Sequence, residues 1–351
     1  MKENKYTDTG AATIRKIIYF TVLAALFVQT GCSLSGGPRI RIGYLPTDTF
    51  GIAFADPNNL GTHTYGWGFP SEQGGIIYTC KGGHLDLDHV RGNADITKYL
   101  FKKIHTTLSK KRKSFSFSLT GESSTHKVSL SYPPNWDKLP NKDEIVDKIS
   151  YDTAAYLSFN STIWHEILTW FGVKFALVEP EYNSAFSWED VYSDLVGTQL
   201  GIEALKDKNN NFDQAMTKAL YRRLRELEVQ PRSTAIAASD KVRGKWYTGN
   251  LVPDMKMRNF DIGLDGTVTP ILVPGVSGCD NKPLPLPVPT LETLRHYGLS
   301  MTYEIKPNVI FEQGRIFKAA GSKRIFPREH FPILIEYMKK EAVEKGYQYY
   351  E

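Results

Sequence analysis

The sequence predicts an α+β fold with a helical core flanked by antiparallel strands. Strand-like and helical segments follow one another in a mixed order, without the regular alternation of a doubly wound parallel sheet. Around residues 115–132, hydrophobic and polar residues alternate on both sides of Gly121-Glu122-Ser123-Ser124, which is typical of a β-hairpin. The 351-residue sequence contains no internal repeat. These observations favour helices packed against separate strands and a hairpin.

In the first half of the chain, the spacing of apolar residues predicts each element in turn. Alternation predicts strands over residues 39–45 and 76–79, and a helical period follows over 88–109. After the hairpin, a long helix is expected over 143–171, where Gly172 takes the position that commonly follows a helix end. Ser187 and Asn211 are the expected N-caps of helices over 188–206 and 212–229.

The C-terminal part is predicted to contain shorter elements. We expect a helix over 234–242, strands around the Asp265-Gly266 turn, an extended proline-rich connector over 283–289, a strand over 301–305 and a final helix over 329–345. Residues 32–351 are therefore predicted to form a single α+β domain, with a helical core over about 86–243 and a strand and helix region over about 250–351.

The N-terminus predicts export. Arg15 and Lys16 precede an apolar stretch of about a dozen residues, which is too short to span a membrane. We therefore predict a signal peptide over residues 1–31. The ending at Cys32 resembles the lipobox of bacterial lipoproteins, although Gln29 replaces its usual aliphatic residue, so export without lipid stays open. Lipid on Cys32 would anchor the protein to a membrane, and Ser33 favours the outer membrane of the cell envelope.

The charge of the chain argues against a nucleic-acid partner. Its formal net charge is +5, and the concentrated basic run, residues 110–113, is explained as a solvated loop.

The cysteines agree with export, because Cys80 and Cys279 remain as an even pair if Cys32 carries lipid. The sequence leaves two alternatives open: a disulfide between them or two separate buried thiols. A nucleophilic Cys80 assisted by His84 is a further alternative.

The strongest candidate chemistry lies near the end of the long helix. At about 100° per residue, His165 projects from a stripe of small, partly polar residues, with Glu166 at its edge. The next helix carries a second small-residue stripe that includes Asp190 and Asp194. If the two stripes face one another, an imidazole lies beside several carboxylates. Such a group could bind a divalent metal such as zinc, with Glu166 as general base for a bound water.

A structural interpretation competes with this metal site. His165-Glu166 matches only the first half of the His-Glu-x-x-His pattern, because Thr169 occupies the second histidine position. Asp190 is also explained by a capping box that begins at Ser187. A buried, hydrogen-bonded histidine in a close helix pair therefore stays an alternative.

A second run could supply the missing metal ligands. In residues 82–91, His84, Asp86 and Asp88 alternate with leucines, and His89 then begins a helix at the edge of its apolar side. His89 is the preferred further ligand. His63 and His84 are weaker candidates, and Asp86 and Asp88 are also explained as residues at the positive end of the helix.

These motifs carry a family resemblance. The export signal, His89-Val90-Arg91, Trp164-His165-Glu166-Ile167 and the run from Ser184 to Asp190 resemble a bacterial family of exported proteins of unknown function. The resemblance implies an envelope protein whose residues of interest are His89, His165, Glu166 and the Glu189-Asp190 pair. We therefore expect a metal-dependent hydrolase, with His89, His165, Asp190 and Asp194 as candidate ligands. The alternative is a non-enzymatic envelope binding or scaffold protein.

Overall fold

The computed structural model confirms the α+β class. It describes residues 37–47, 53–66, 71–120, 122, 124–172, 174–175, 179–180, 183–250, 253–307 and 313–350. The predicted signal peptide and Cys32 lie outside these residues. Within them, the chain forms eight helices and several small sheets. The helices are α1 (Leu87–Ser109), α2 (Lys142–Trp170), α3 (Asp190–Lys206), α4 (Phe212–Glu226), α5 (Arg232–Val242), α6 (Glu292–His296), α7 (Gln313–Ala320) and α8 (Pro327–Glu344).

Helices α1, α2 and α3 form the centre of the molecule and follow the predicted boundaries closely. Asp86 is the N-cap of helix α1, and its side chain accepts a hydrogen bond from Asp88 N at 2.7 Å. Helix α2 buries residues on most of its circumference, including Trp164 and Ile167. The main hydrophobic cluster joins these helices to Leu334 of α8. The single-domain boundaries over 32–351 stay a prediction.

Strands β1 (Ile76–Thr79) and β2 (Gly83–Asp86) pair antiparallel immediately before α1 and fix where that helix begins. The predicted hairpin is present as β3 (Ser114–Phe117) and β4 (Ser124–Ser131), and β10 (Ser300–Pro307) pairs with the other edge of β4. The buried residues of β4 alternate along the strand, as a half-buried strand requires. The remaining strands are β5 (Lys174–Phe175), β6 (Glu179–Pro180), β7 (Met257–Asn259), β8 (Thr267–Val268), β9 (Leu286–Pro287) and β11 (Gln348–Tyr350).

One prediction of strand structure was wrong. Residues 39–45 form no strand, because Arg39 and Arg41 are held by ion pairs and not by a neighbouring strand. The predicted strands around the Asp265-Gly266 turn are present as β7 and β8, but they do not pair with each other. Instead β7 pairs parallel with β11, and β8 pairs antiparallel with β9 inside the proline-rich connector. None of the helices among the described residues is both long and apolar enough to cross a membrane.

A disulfide joins Cys80, at the end of β1, to Cys279 in a distant loop. The bond spans a sequence separation of 199 residues. It leaves no free thiol at Cys80, so the nucleophilic alternative for this residue does not apply to the bridged protein.

Breaking this disulfide should destabilise the protein markedly. We expect the Cys80→Ala/Cys279→Ala variant to lose about 2 to 5 kcal/mol of unfolding free energy, because the bridge restricts the unfolded chain over a long loop. Urea unfolding of the two proteins measures the difference, with reductant added to the wild type as a second comparison. Two free thiols in wild-type protein labelled under denaturing, non-reducing conditions would contradict the expectation.

Candidate functional site

Helix α1 lies against both small-residue stripes, and α2 and α3 also contact one another. A Cβ atom added to Gly197 of α3 would lie 2.2 Å from Val90 O of α1, and one added to Gly201 would lie 2.9 Å from Ala94 Cα. From α2, the Ser158 hydroxyl donates to Asn93 O of α1 at 3.3 Å. The small residues therefore let α1 approach both helices, and α1 carries His89 into the site.

Two small cavities share the lining residues His89, His165 and Glu166, and we call this region the histidine cleft. Their volumes are about 200 Å³ and about 140 Å³. Asp190 lines the first cavity and Asp194 the second. The structure thus brings His89, His165, Glu166, Asp190 and Asp194 to one region, although they come from three different helices.

His89 lies beside two carboxylates of α3. Its Nδ1 atom is 3.2 Å from Asp190 Oδ1 and 3.9 Å from Asp194 Oδ1, and its side chain is 26% exposed. Burial alone would lower the pKa of His89. The negative charges of Asp86, Asp190 and Asp194 outweigh burial and raise the pKa well above its usual value, so the imidazolium form is favoured.

Five buried carboxylates lie in this region, and we call them the acidic cluster: Asp86, Glu166, Glu189, Asp190 and Asp194. Burial raises the pKa of Asp86 and of Asp194 to about 7, and it raises the pKa of Glu166 and of Glu189 well above the usual range. The cause is the cost of placing several negative charges away from water. Part of the cluster is therefore protonated at neutral pH.

Hydrogen bonds hold the members of the acidic cluster in place. Glu166 accepts from Phe186 N at 2.6 Å, and Asp194 accepts from Asn93 Nδ2 at 2.5 Å. Asp190 accepts from Ser187 N at 2.8 Å, which is one half of the predicted capping box. The Ser187 hydroxyl instead donates to Glu189 at 2.6 Å, and helix α3 begins at Asp190, two residues later than predicted.

His165 differs from His89 in its surroundings. It is half-buried, and within the described part of the chain its side chain has no hydrogen-bond or ion-pair partner. Burial lowers the pKa of His165, and the nearby charge of Glu122 offsets this only in part. The two pKa shifts therefore favour the neutral form of His165 and the protonated form of His89 at neutral pH. One cleft thus contains an imidazole that can accept a proton and another that can donate one.

Residues 37–47, the N-terminal segment, cover the histidine cleft. Tyr44 N donates to Asp86 at 2.6 Å, and Arg41 forms an ion pair with Asp95 at 2.9 Å. A Cβ atom on Gly43 would lie 2.5 Å from His89 Nε2, so only glycine allows the segment to approach the imidazole this closely. Ile40 and Leu45 of the segment line the cleft and reduce its contact with water.

Glu122 is a site residue that the sequence analysis missed. It lines the cleft beside His165, is 8% exposed, and its Oε2 atom has no hydrogen-bond partner among the described residues. Its Oε1 atom accepts from His126 Nε2 at 2.7 Å, and His126 Nδ1 lies 2.6 Å from the Tyr303 hydroxyl. A sequence signal for Glu122 was present in β4. His126 shares the buried face of this strand with Val128 and Leu130, and a buried histidine requires polar partners such as a nearby carboxylate.

The weaker histidine candidates do not line the histidine cleft. His63 is fully buried, and its Nε2 atom lies 2.9 Å from Asp95. His84 is buried beside Trp188, which donates to its Nδ1 atom at 3.3 Å, and its Nε2 atom lies 3.1 Å from Ala235 O. Burial lowers the pKa of His84 to about 4. Both histidines are explained by core packing and hydrogen bonding.

Some of the predicted metal ligands lie close to one another, but they do not form a complete metal site. His89 lies 3.2 Å from Asp190 and 3.9 Å from Asp194. However, no three His, Cys, Asp or Glu side chains in the described ranges are grouped closely enough to hold a metal ion. A site with both histidines would therefore require His165 and His89 to move towards a common point.

Comparison with known proteins gives a family without an assigned activity. No protein of curated function matches the chain, and no solved structure does. Residues 44–271 match a family described as protein of unknown function (DUF4056). This match includes β1, β2, helices α1 to α5 and every residue of the acidic cluster. Because the match covers more than half of the chain, the chain belongs to the DUF4056 family of proteins of unknown function.

Proposed function

We propose that the protein is a hydrolase whose reaction takes place in the histidine cleft. The observation that carries this proposal is the placement of His89 and His165 on one cleft. His89 lies beside Asp190, and His165 has no hydrogen-bond or ion-pair partner among the described residues. Hydrolysis requires a proton acceptor, a proton donor and a water molecule. In this arrangement His165 is the proton acceptor and His89 is the proton donor.

Each histidine has a separate role in the proposed reaction. His165 accepts a proton from water as the water oxygen bonds to the electrophilic atom of the substrate. His89 donates its proton to the leaving group as the bond to that group breaks. His165 then releases its proton to solvent, and His89 regains one. The acidic cluster keeps His89 protonated between turnovers.

Glu122 and Glu166 have supporting roles in this proposal. Glu122 lies in contact with the same cavity as His165, and its negative charge favours the imidazolium that His165 becomes during the reaction. Glu166 positions the loop before α3 by accepting from Phe186 N, and the next amide of that loop, Ser187 N, donates to Asp190. Both are positioning residues.

A second candidate is the metal-dependent form of this hydrolase, with zinc as the ion. The acidic cluster contributes five carboxylates, and a divalent ion would offset their mutual repulsion. His89, His165 and Asp190 or Asp194 would hold the ion, with Glu166 as the base. The ion would supply a bound water of lowered pKa. The metal-free form is the first candidate because no three possible ligands converge in the part of the chain that the structure describes.

Metal analysis separates the two candidates. For the metal-free hydrolase we expect activity to be unchanged after dialysis against a chelator, because the histidines alone transfer the protons. Elemental analysis before and after dialysis checks that the metal content has fallen. Stoichiometric zinc that is lost together with activity, and lost in the His165→Ala variant, would instead establish the metal-dependent form.

We also propose that the protein acts in the cell envelope, cleaved before Cys32 and anchored by lipid on that cysteine, with the outer membrane as the favoured destination. The apolar stretch that ends at Cys32 supports this proposal. The disulfide between Cys80 and Cys279 supports export as well, because disulfides persist in oxidising compartments.

The anchor is tested by replacing Cys32. We expect Cys32→Ala to move the protein from the membrane fraction to the soluble fraction, since no acylated cysteine remains. Immunoblotting of fractionated cells measures the distribution, and Ser33→Ala is the matched control that should stay in the membrane fraction. A Cys32→Ala protein that remained membrane-bound would refute the lipid anchor.

A further inference from the structure

A third cavity lies on the opposite edge of α2 from the acidic cluster and contains none of the proposed catalytic residues. Its volume is about 560 Å³, which is in the range of pockets that bind small molecules. Most of its wall is apolar, and it is built from α2, the loop after β7, the chain after β9 and the start of α8. The apolar wall includes Phe159, Ile163, Ile262, Leu264, Val288 and Phe331.

One end of this cavity is cationic. Arg295 of α6 and Arg328 of α8 line it, and both lower the pKa of the Tyr156 hydroxyl, which burial raises. The three groups therefore lie near one another. In the part of the chain that the structure describes, neither guanidinium has an ion-pair partner, and the lining includes no Asp or Glu.

We propose that this cavity binds an amphiphile with an acyl chain and an anionic head group. The apolar wall would bury the acyl chain, and the two guanidiniums with the Tyr156 hydroxyl would bind the head group. Arginine pairs well with carboxylates and phosphates because its planar donors match their oxygens. A purely apolar ligand would leave both arginines unpaired, and a purely polar anion would leave the apolar wall without a partner.

The proposal is tested with purified mature protein that has been freed of bound lipid. Displacement of a dansyl-labelled fatty acid measures the binding of palmitate, palmitoyl lysophosphatidate and hexadecanol. We expect saturable binding of the two anions with one ligand per protein, and binding of hexadecanol at least about tenfold weaker. The tighter anion identifies the head group, and binding of either one supports the proposal.

Variants separate the two parts of the site. Arg295→Ala and Arg328→Ala should each weaken binding of the anions about tenfold or more, and Leu264→Glu should weaken it because it places a negative charge on the apolar wall. All three residues are exposed, so these variants should fold. Arg222→Ala, an exposed arginine on α4 that is paired with Glu203, is the matched control and should bind normally. Absence of saturable binding, equal binding of hexadecanol, or unchanged binding by both arginine variants would overturn the proposal.

Discussion

Replacement of His165 with glutamine is expected to lower kcat/KM for hydrolysis by about 10² to 10⁴. The amide occupies similar space but cannot accept the proton of the attacking water, and general base catalysis contributes a factor of this size. Turnover is measured with a panel of chromogenic p-nitrophenyl esters and phosphate esters. Because His165 is half-buried and has no polar partner among the described residues, circular dichroism should show an unchanged fold.

The matched control for this variant is His105→Gln. His105 is also a helical histidine, but its side chain is 41% exposed and paired with Asp147 outside the histidine cleft. Its replacement should leave activity unchanged. If the wild type hydrolyses a substrate and His165→Gln does so at the same rate, His165 is not the base. If a ligand binds in the cleft without turnover, the non-enzymatic binding alternative is favoured.

Replacement of Gly197 with alanine is expected to destabilise the protein by about 1 to 3 kcal/mol. The added methyl group would lie 2.2 Å from Val90 O, and this backbone oxygen cannot move away without displacing α1. The change is measured by urea unfolding. Because α1 carries His89, we also expect reduced activity at temperatures where the variant is still folded.

Gly314→Ala provides the control for Gly197→Ala. Gly314 lies in the first turn of α7, where an added Cβ atom meets no other atom within 4 Å. Alanine favours a helix over glycine by about 1 kcal/mol, so this variant should be equally stable or slightly more stable. If the Gly197→Ala protein were as stable as the Gly314→Ala protein, Gly197 of α3 would not be in close contact with Val90 of α1.

The sequence predicted those elements whose signals are local. The helical period and the caps at Asp86 and Asn211 are contained in a few neighbouring residues, and α1 and α4 begin where expected. The hairpin of β3 and β4 also depends on adjacent segments. Strands of two or three residues carry almost no information about their partners, and for this reason the pairing of β7 with the distant β11 was not predicted.

The candidate site was predicted in part. The small-residue stripes correctly indicated close helix packing, but periodicity within one helix does not reveal which neighbour it contacts. The sequence therefore could not show that α1 lies against both stripes. Alternation at residues 39–45 predicted a strand, yet the same spacing suits a segment that directs Arg39 and Arg41 into ion pairs and Ile40 towards the cleft. Glu122 was missed because residue spacing does not show that the segment between β3 and β4 lies beside His165 of α2.

Histidine protonation tests the central claim most directly, because the proposed reaction requires His165 to be neutral when His89 is protonated. NMR titration measures the pKa values of both histidines without a substrate. The His165→Gln and His89→Gln variants identify which imidazole signal belongs to which histidine. We predict that His165 titrates below 6.5 and His89 above it, so that activity is highest between the two values and falls on either side. Titration of both histidines together near 6.5, or in the reverse order, would contradict the proposed roles.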